Sequence, residues 1–565
     1  MRNSINYIIA FGIAWTFLPL ASEGQSVNVP LNKDYYHLIE RYQVKSGFIS
    51  SDFAMKPWQR RNVAMLADFL RENDTLALSK QDQFNLEYLA LDNWEWSNTV
   101  NPDSDKPTLK HFFKKKSDWF HYSDEDFQLH ISPVLHLGMG RENDVDEPTF
   151  LNTRGLEVRG QIANSLGFYT YVGENQARFP TYVREYIEQE NFAVPGEGFW
   201  KDFKEGGVDF LTGRAYITFD PVEKLNVQFG YDRNFIGHGY RSVLLSDFST
   251  NYLFLKFDTQ IGKRFQLTNL FTELRATAFA GATGSIDGEF PKKYMTLHRL
   301  GFDITPNLNI GVFEQIIYGD ENINKAVPIK IAYFNPFIFT RSLFNTSDPG
   351  ENKTAGMDVR WNLFNTMSVY GTAYFDGLQL REFGNGAWNN NIASQIGLKY
   401  FDVLDISNLD IQAEVNHITP YTYARKNYLM NAAHFRQPLA HPMGANLREV
   451  VGILRYQPID RLSVTAKAII TKFGGDLPGQ NFGGDVMRTT DSRVQDFDNE
   501  VGQGNSSDLQ LYDFTATYML KHNLFIDLRQ TIRNLSQEVN TGKKENTTFT
   551  QLLLRWNIPH RDHEF

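Results

Sequence analysis

From about Phe127 to near the end of the chain, apolar and polar side chains alternate with a period of two. Leu156, Val158, Gly160 and Ile162 alternate with Glu157, Arg159 and Gln161. Ala215, Ile217 and Phe219 do so with Tyr216 and Thr218, and Leu225, Val227 and Phe229 with Asn226 and Gln228. Leu462, Val464, Ala466 and Ala468 repeat the pattern, as do Leu552, Leu554, Trp556 and Ile558 near the end. Side chains on a strand point alternately to opposite faces, so each run is a strand with one apolar and one polar face.

The connections constrain the fold further. Short turns fall near 164–165, 220–224, 262–263, 305–307, 364–366, 404–408, 457–461 and 520–523. Three of them repeat one device, in which Pro221, Pro306 or Pro458 precedes a strand opening with Leu225, Leu308 or Leu462. Proline presets a turn and cannot donate to the ladder of a central strand. Longer connections, such as 175–207, 319–354, 419–446 and 474–508, lie between the short ones and are rich in Gly, Asn, Asp and Tyr. Eight short turns join sixteen strands. An opening strand near 127–137 and a closing strand near 548–558 bring the expected number to about eighteen. The number is even and both ends fall on the short-turn side, as in an outer-membrane barrel with tight periplasmic turns and long external loops.

A soluble sandwich array or propeller also alternates. Strands of about ten residues are long for a sandwich and suit a tilted membrane strand. Tyr231, Tyr370, Tyr400, Tyr456, Tyr518 and Trp556 sit towards strand ends, where interfacial girdles belong. The expected class is therefore all-β, a transmembrane antiparallel barrel. It explains why 14% aromatic residues coexist with a mean hydropathy of -0.40.

Ahead of the barrel the period changes. Met1-Arg2, the apolar run 8–20 and Ser22-Glu23-Gly24 read as a signal peptide over 1–24. The chain has no cysteine, which excludes disulfide scaffolds, thiolate metal sites and lipid attachment at an N-terminal cysteine. Over 28–98, Tyr35, Leu38, Ile39 and Tyr42 recur at helical spacing, as do Val63, Leu66, Ala67 and Leu70. A third run, Phe84, Tyr88 and Leu91, follows the cap Ser79. These form a small helical periplasmic domain, either a docking platform for another envelope component or a cap under the barrel mouth. Residues 99–126 read as a linker whose Lys114-Lys115-Lys116 is a solvated run. The barrel follows over 127–558, then a short tail over 559–565.

No catalytic motif is present: there is no His-Glu-x-x-His, phosphate loop or Gly-x-Ser-x-Gly. The histidine spacing is not that of a zinc site. The 56 basic against 66 acidic residues, a net charge of -10, argue against a nucleic-acid binder. The expectation is a protein without enzymatic activity, metal or cofactor. Loops rich in Tyr, Trp and Asn have the chemistry to bind sugars.

Several segments resemble the Wzi capsule-assembly family of outer-membrane barrels, in a Bacteroidetes-type form. Tyr35-Tyr36-His37-Leu38-Ile39-Glu40-Arg41 and Lys56-Pro57-Trp58 are similar to its N-terminal helical region. Gly230-Tyr231-Asp232-Arg233-Asn234-Phe235-Ile236-Gly237-His238-Gly239, with Leu244-Leu245-Ser246-Asp247, is similar to its Gly-rich segment. Asn335-Pro336, Gly356-Met357-Asp358-Val359-Arg360-Trp361, Val369-Tyr370-Gly371 and Phe375-Asp376 follow in family order, and Pro438-Leu439-Ala440-His441-Pro442-Met443-Gly444 resembles its His-Pro-Leu-Gly element. Ile236 and His238 replace the family's usual Trp and Pro.

The resemblance implies an eighteen-stranded barrel in a Gram-negative outer membrane that binds or assembles capsular polysaccharide. Its partners would be surface polysaccharide, outer-membrane lipid and envelope proteins reached through the helices. Arg233, His238, Tyr240, Asn335, Asp358, Arg360, Asp376, His434 and His441 are the candidates for glycan contact or for a network inside the lumen. A porin-like diffusion channel and a structural subunit of a secretion or gliding machine are the alternatives.

Overall fold

A computed structural model describes residues 25–565, apart from 48–50, 74–75, 77, 109, 191–192, 277–290, 320–329, 344–349, 378, 383 and 540–543. The expected signal peptide lies outside the described residues. Eighteen antiparallel strands close into a barrel. They are β1 (Phe127–Glu142), β2 (Thr149–Ile162), β3 (Leu166–Arg178), β4 (Gly207–Val222), β5 (Leu225–Asp232), β6 (Tyr252–Ile261), β7 (Phe265–Arg275), β8 (Lys292–Thr305), β9 (Leu308–Tyr318), β10 (Glu351–Leu363), β11 (Met367–Phe375), β12 (Ile392–Tyr400), β13 (Leu409–Ile418), β14 (Leu447–Ile459), β15 (Leu462–Gly475), β16 (Asn505–Lys521), β17 (Leu524–Gln537) and β18 (Lys544–Trp556). β18 pairs on β1, with Trp556 opposite Leu135 and Phe549 opposite Glu142. Closure leaves no long edge with unpaired backbone groups, which a strand in hydrocarbon cannot tolerate.

All eight expected short turns lie on one rim. Asn164, Asn365 and Asn523 adopt left-handed φ of 51°, 54° and 55° there, which tight hairpins require and asparagine tolerates. Two of the proline turns are tighter than their sequence suggests. Pro221 and Pro458 lie inside β4 and β14, where the register shifts between Phe219 and Val222 and between Tyr456 and Ile459. A bulge interrupts the ladder, so the missing proline N–H costs nothing there.

The outward face of the wall is apolar. Met139 is 71% exposed, Leu211 66%, Ile396 62% and Leu552 58%. A belt of such side chains around a closed barrel belongs in lipid, and places the protein in a Gram-negative outer membrane. Polar side chains interrupt this face in places, and one such patch is covered. Asn269, His298 and Glu314 stand side by side on the outward faces of β7, β8 and β9. Polar groups there are costly, and they are covered. The strap 331–339 lies over them: Phe334 stacks on Phe271 at 4.8 Å, and the Phe339 N–H donates to Glu314 Oε2 at 2.7 Å.

Three helices stand at the short-turn rim: α1 (Tyr36–Ser46), α2 (Arg60–Arg71) and α3 (Lys80–Asp92). Ser79 caps α3 in a reciprocal box, accepting from the Asp82 N–H while its own N–H donates to the Asp82 carboxylate. Their shared core contains Tyr35, Ile39, Val63, Leu66, Leu70 and Leu86. α1 is fixed to the barrel by ion pairs. Arg41 is fully buried and donates to Asp410 and Asp402 at 2.5 Å each, and to Asp82 at 3.2 Å. His37 meets Asp410 at 2.7 Å, and Lys45 meets Asp402 at 2.8 Å. At the other end of the bundle, Tyr88 and Asp92 bond Asn523 at the β16–β17 turn. The helices therefore pack up under the barrel mouth.

Candidate functional site

The lumen is filled from three directions. The segment after β5 turns inward. Ile236 and Phe235 pair with Met55 and Lys56, so the N-terminal region reaches up to meet it. Val243, Leu244 and Leu245 are at most 2% exposed and pack with Leu439, Ala440 and Tyr423 from the β13–β14 loop, and with Met295 and Leu297 from the wall. The barrel interior thus carries an apolar core of its own.

The third element is the tail after β18, residues 557–565, which runs up through the lumen. Arg555 at its root donates to Asp34 at 3.0 Å and Asp527 at 2.6 Å. Higher up, Asp562 pairs with Arg529 at 2.8 Å, and Glu564 pairs with Lys467 and accepts from Tyr240 at 2.7 Å. Arg533 Nε donates to the Phe565 backbone oxygen at 3.0 Å. The Phe565 ring packs with Phe179, Val183 and Ile187 of the β3–β4 loop, whose helix spans Thr181–Glu190. The tail therefore links the periplasmic helices to an external loop. A cavity of about 480 Å³ remains between helices, tail and inward loops, lined among others by Asp34, Tyr36, Arg214, Arg233 and Lys467.

Most of the sequence candidates lie in these braces. His238 meets Asp358 at 3.2 Å, and Arg299 donates to the same carboxylate at 2.6 Å. Tyr240 bonds the tail. His441 meets Glu449 at 3.0 Å, which also takes Arg241 at 3.1 Å. Arg360 donates to Gln43 of α1 at 2.9 Å. Arg233 donates to the backbone oxygens of Asp247 and Gly196 at 2.8 and 3.0 Å. His434 accepts from the Arg275 N–H at 2.9 Å and faces the Asn251 oxygen at 3.1 Å, which fixes its ring under an external loop. Asp376 pairs with Arg425 and accepts from the Tyr423 N–H at 2.8 Å, pinning two external loops. Asn335 stands apart on the outer strap, donating to Thr340 at 3.0 Å. Among the described residues no cluster of His, Asp and Glu has metal-holding geometry.

On the periplasmic side the charges are strongly tuned. Burial pushes the Asp82 carboxyl up, but Arg41 and Lys45 outweigh it and hold the group well below the usual carboxylate range. Burial likewise opposes ionisation of Glu40, and Lys399 and Lys56 overcome it. Both acids are ionised clamps between α1 and its surroundings.

The external rim carries a feature that the sequence reading passed over. The β11–β12 loop (376–391) and the β15–β16 loop (476–504) clasp each other. The Trp388 N–H donates to the Asp496 oxygen at 2.9 Å, and the Asn499 N–H to the Gly386 oxygen at 3.0 Å. The Arg493 guanidinium lies 4.2 Å from the Trp388 ring centre and pairs with Asp496 at 2.6 Å. The Trp388-Asn389-Asn390-Asn391 run was the available signal, but its partner lies about a hundred residues away.

Comparison with known proteins agrees with this architecture. Among solved structures, the Escherichia coli outer-membrane protein Wzi, described as a carbohydrate-binding β-barrel involved in group 1 capsule assembly, superposes with a TM-score of 0.54 at 12% identity, over 94% of this chain and 100% of that one. Pseudomonas aeruginosa OprD gives 0.41 at 10% identity, over 76% and 95%. Acinetobacter baumannii OccAB2 gives 0.41 at 9%, over 76% and 97%. No curated protein matches the chain by sequence. The model of the family "Capsule assembly protein Wzi" matches residues 138–547, most of the barrel and well over half of the chain, so this protein belongs to the Wzi capsule-assembly family.

Proposed function

We propose that this protein binds surface polysaccharide with its external loops and holds it at the outer membrane, without catalysis. The observation that carries this is the apolar core inside the lumen. Val243, Leu244 and Leu245 fill part of the lumen with apolar side chains, whereas a conducting pore needs a polar path. Function then falls to the outer face, which the inward segments, tail and loop clasps hold fixed. A preorganised surface loses little entropy on binding a flexible polymer. The clasp fixes Trp388, half-buried at the external rim, and an aromatic ring held there can stack on sugar rings.

The test is binding of purified full-length protein to capsular polysaccharide extracted from the source cells, with dextran as the control. Saturable binding to the first only is expected, and Trp388→Ala should weaken it about tenfold. Equal binding to both polymers overturns the reading. Planar-bilayer recording addresses the porin alternative: silence is expected, and steady single-channel steps would restore that alternative.

A further inference from the structure

The stretch read from sequence as a solvated linker is a folded hairpin on the outside of the periplasmic rim. Ser104 N–H donates to the Lys114 oxygen at 2.9 Å and Lys116 N–H to the Pro102 oxygen at 2.8 Å. Phe112 stacks on Trp119 at 4.5 Å. Phe113 stacks on Trp556 at 5.9 Å with the rings 16° apart. Trp556 is the last residue of β18, on the same outward face as Leu552, so this stack fixes the hairpin at the lower edge of the lipid belt. Just beyond it, Phe120–Ser123 pairs along the start of β1 and places Tyr122, 48% exposed, beside Leu129 on the same outer wall.

The hairpin's charge is one-sided. Five lysines, Lys106, Lys110, Lys114, Lys115 and Lys116, stand against Asp103 and Asp105. Lys115 is occupied by Asp103 at 2.7 Å, and Lys116 donates to the Asn101 oxygen at 3.3 Å. Asp118 is buried and committed to His130 at 2.9 Å, and is no counter-charge. Lys106, Lys110 and Lys114 are exposed and have no ion-pair partner among the described residues. Exposed lysines beside interfacial aromatics have the reach and sign to meet phosphate headgroups.

We propose that this hairpin is a binding site for anionic phospholipid headgroups of the periplasmic leaflet. The aromatic stack sets its depth, and the three free lysines supply the charge. The site is independent of whatever the external loops bind.

The experiment uses full-length protein in detergent, given an equimolar mixture of phosphatidylglycerol and phosphatidylethanolamine, with retained lipid read by native mass spectrometry. Phosphatidylglycerol should be retained at least about fivefold over phosphatidylethanolamine, since each lysine near an anionic surface contributes about that factor. The triple variant Lys106→Gln, Lys110→Gln, Lys114→Gln should bring the ratio close to one while keeping the heat-modifiable mobility of a folded barrel. No preference in the parent protein, or a preference that the variant retains, overturns the proposal. If the variant instead stops sedimenting with purified cell-wall sacculi while its lipid ratio is unchanged, the hairpin is a cell-wall contact and the lipid proposal fails.

Discussion

The buried guanidinium of Arg41 offers the sharpest test of how the helices are held. It is fully buried and touches three carboxylates: Asp82 of α3, Asp402 of the β12–β13 turn and Asp410 of β13. Arg41→Met keeps an apolar stem of similar length but leaves those acids with only Lys45 and His37 as ion-pair partners among the described residues. Removing one partner from a buried charge network costs about 3–5 kcal/mol, because the abandoned charges remain out of water. The loss falls on the docking of α1 rather than on the barrel, whose ladders do not involve Arg41. At about 1.4 kcal/mol per decade, backbone amides of Tyr36–Ser46 should exchange with deuterium roughly 140- to 4,000-fold faster than in the parent protein. Strands β15 to β17 should be unchanged. Arg41→Lys retains the charge without the planar fork and should fall between the two. Exchange of Tyr36–Ser46 within about threefold of the parent would refute the claim that this network docks the helix.

Two further outcomes follow from the same geometry. Asp82 and Glu40 have carboxyls depressed by their cationic neighbours. A depressed folded-state value gives stability that is present above the ordinary carboxylate value of about 4 and lost as pH falls through the lower folded value. Protection of α1 and α3 in hydrogen exchange should therefore hold from pH 7 to about 4.5 and fall only at stronger acid; a loss already near pH 6 would contradict this. Phe565→Ala empties the aromatic site between the tail and the helix Thr181–Glu190, at a cost of about 3 kcal/mol. Trypsin added to intact cells should then cut faster at Arg184, Lys201 or Lys204, and an unchanged cleavage rate would detach the tail from that loop.

Much of the barrel was legible because its signals are local. The alternation at Leu156–Ile162 or Leu552–Trp556 needs only neighbouring residues, since a strand turns each successive side chain over. The short turns were legible for the same reason: asparagine and glycine mark positions of left-handed backbone within two or three residues. Errors were local as well. The sequence places Pro221 and Pro458 in turns, and they lie in bulges at strand ends, because proline signals a break in the ladder without saying whether the chain turns there.

The candidate residues divide on the same line. The partners of His238, Tyr240 and Arg360 are Asp358, Glu564 and Gln43, each more than a hundred residues away. Nothing near them in sequence says that they face inward loops rather than an open surface. Lys114 and Lys116 are exposed, as a solvated run should be, but the folding of their segment was illegible because the stack of Phe113 on Trp556 joins segments over four hundred residues apart. By itself, then, the sequence determined the strands, the turns, the number of strands and hence the membrane barrel, all of which follow from short-range periodicity. Only the tertiary structure decided what fills the barrel: the helices under its mouth, the tail through its lumen and the clasped loops above. Those placements rest on buried ion pairs and apolar packing, whose energy depends on which distant groups share a low-dielectric interior.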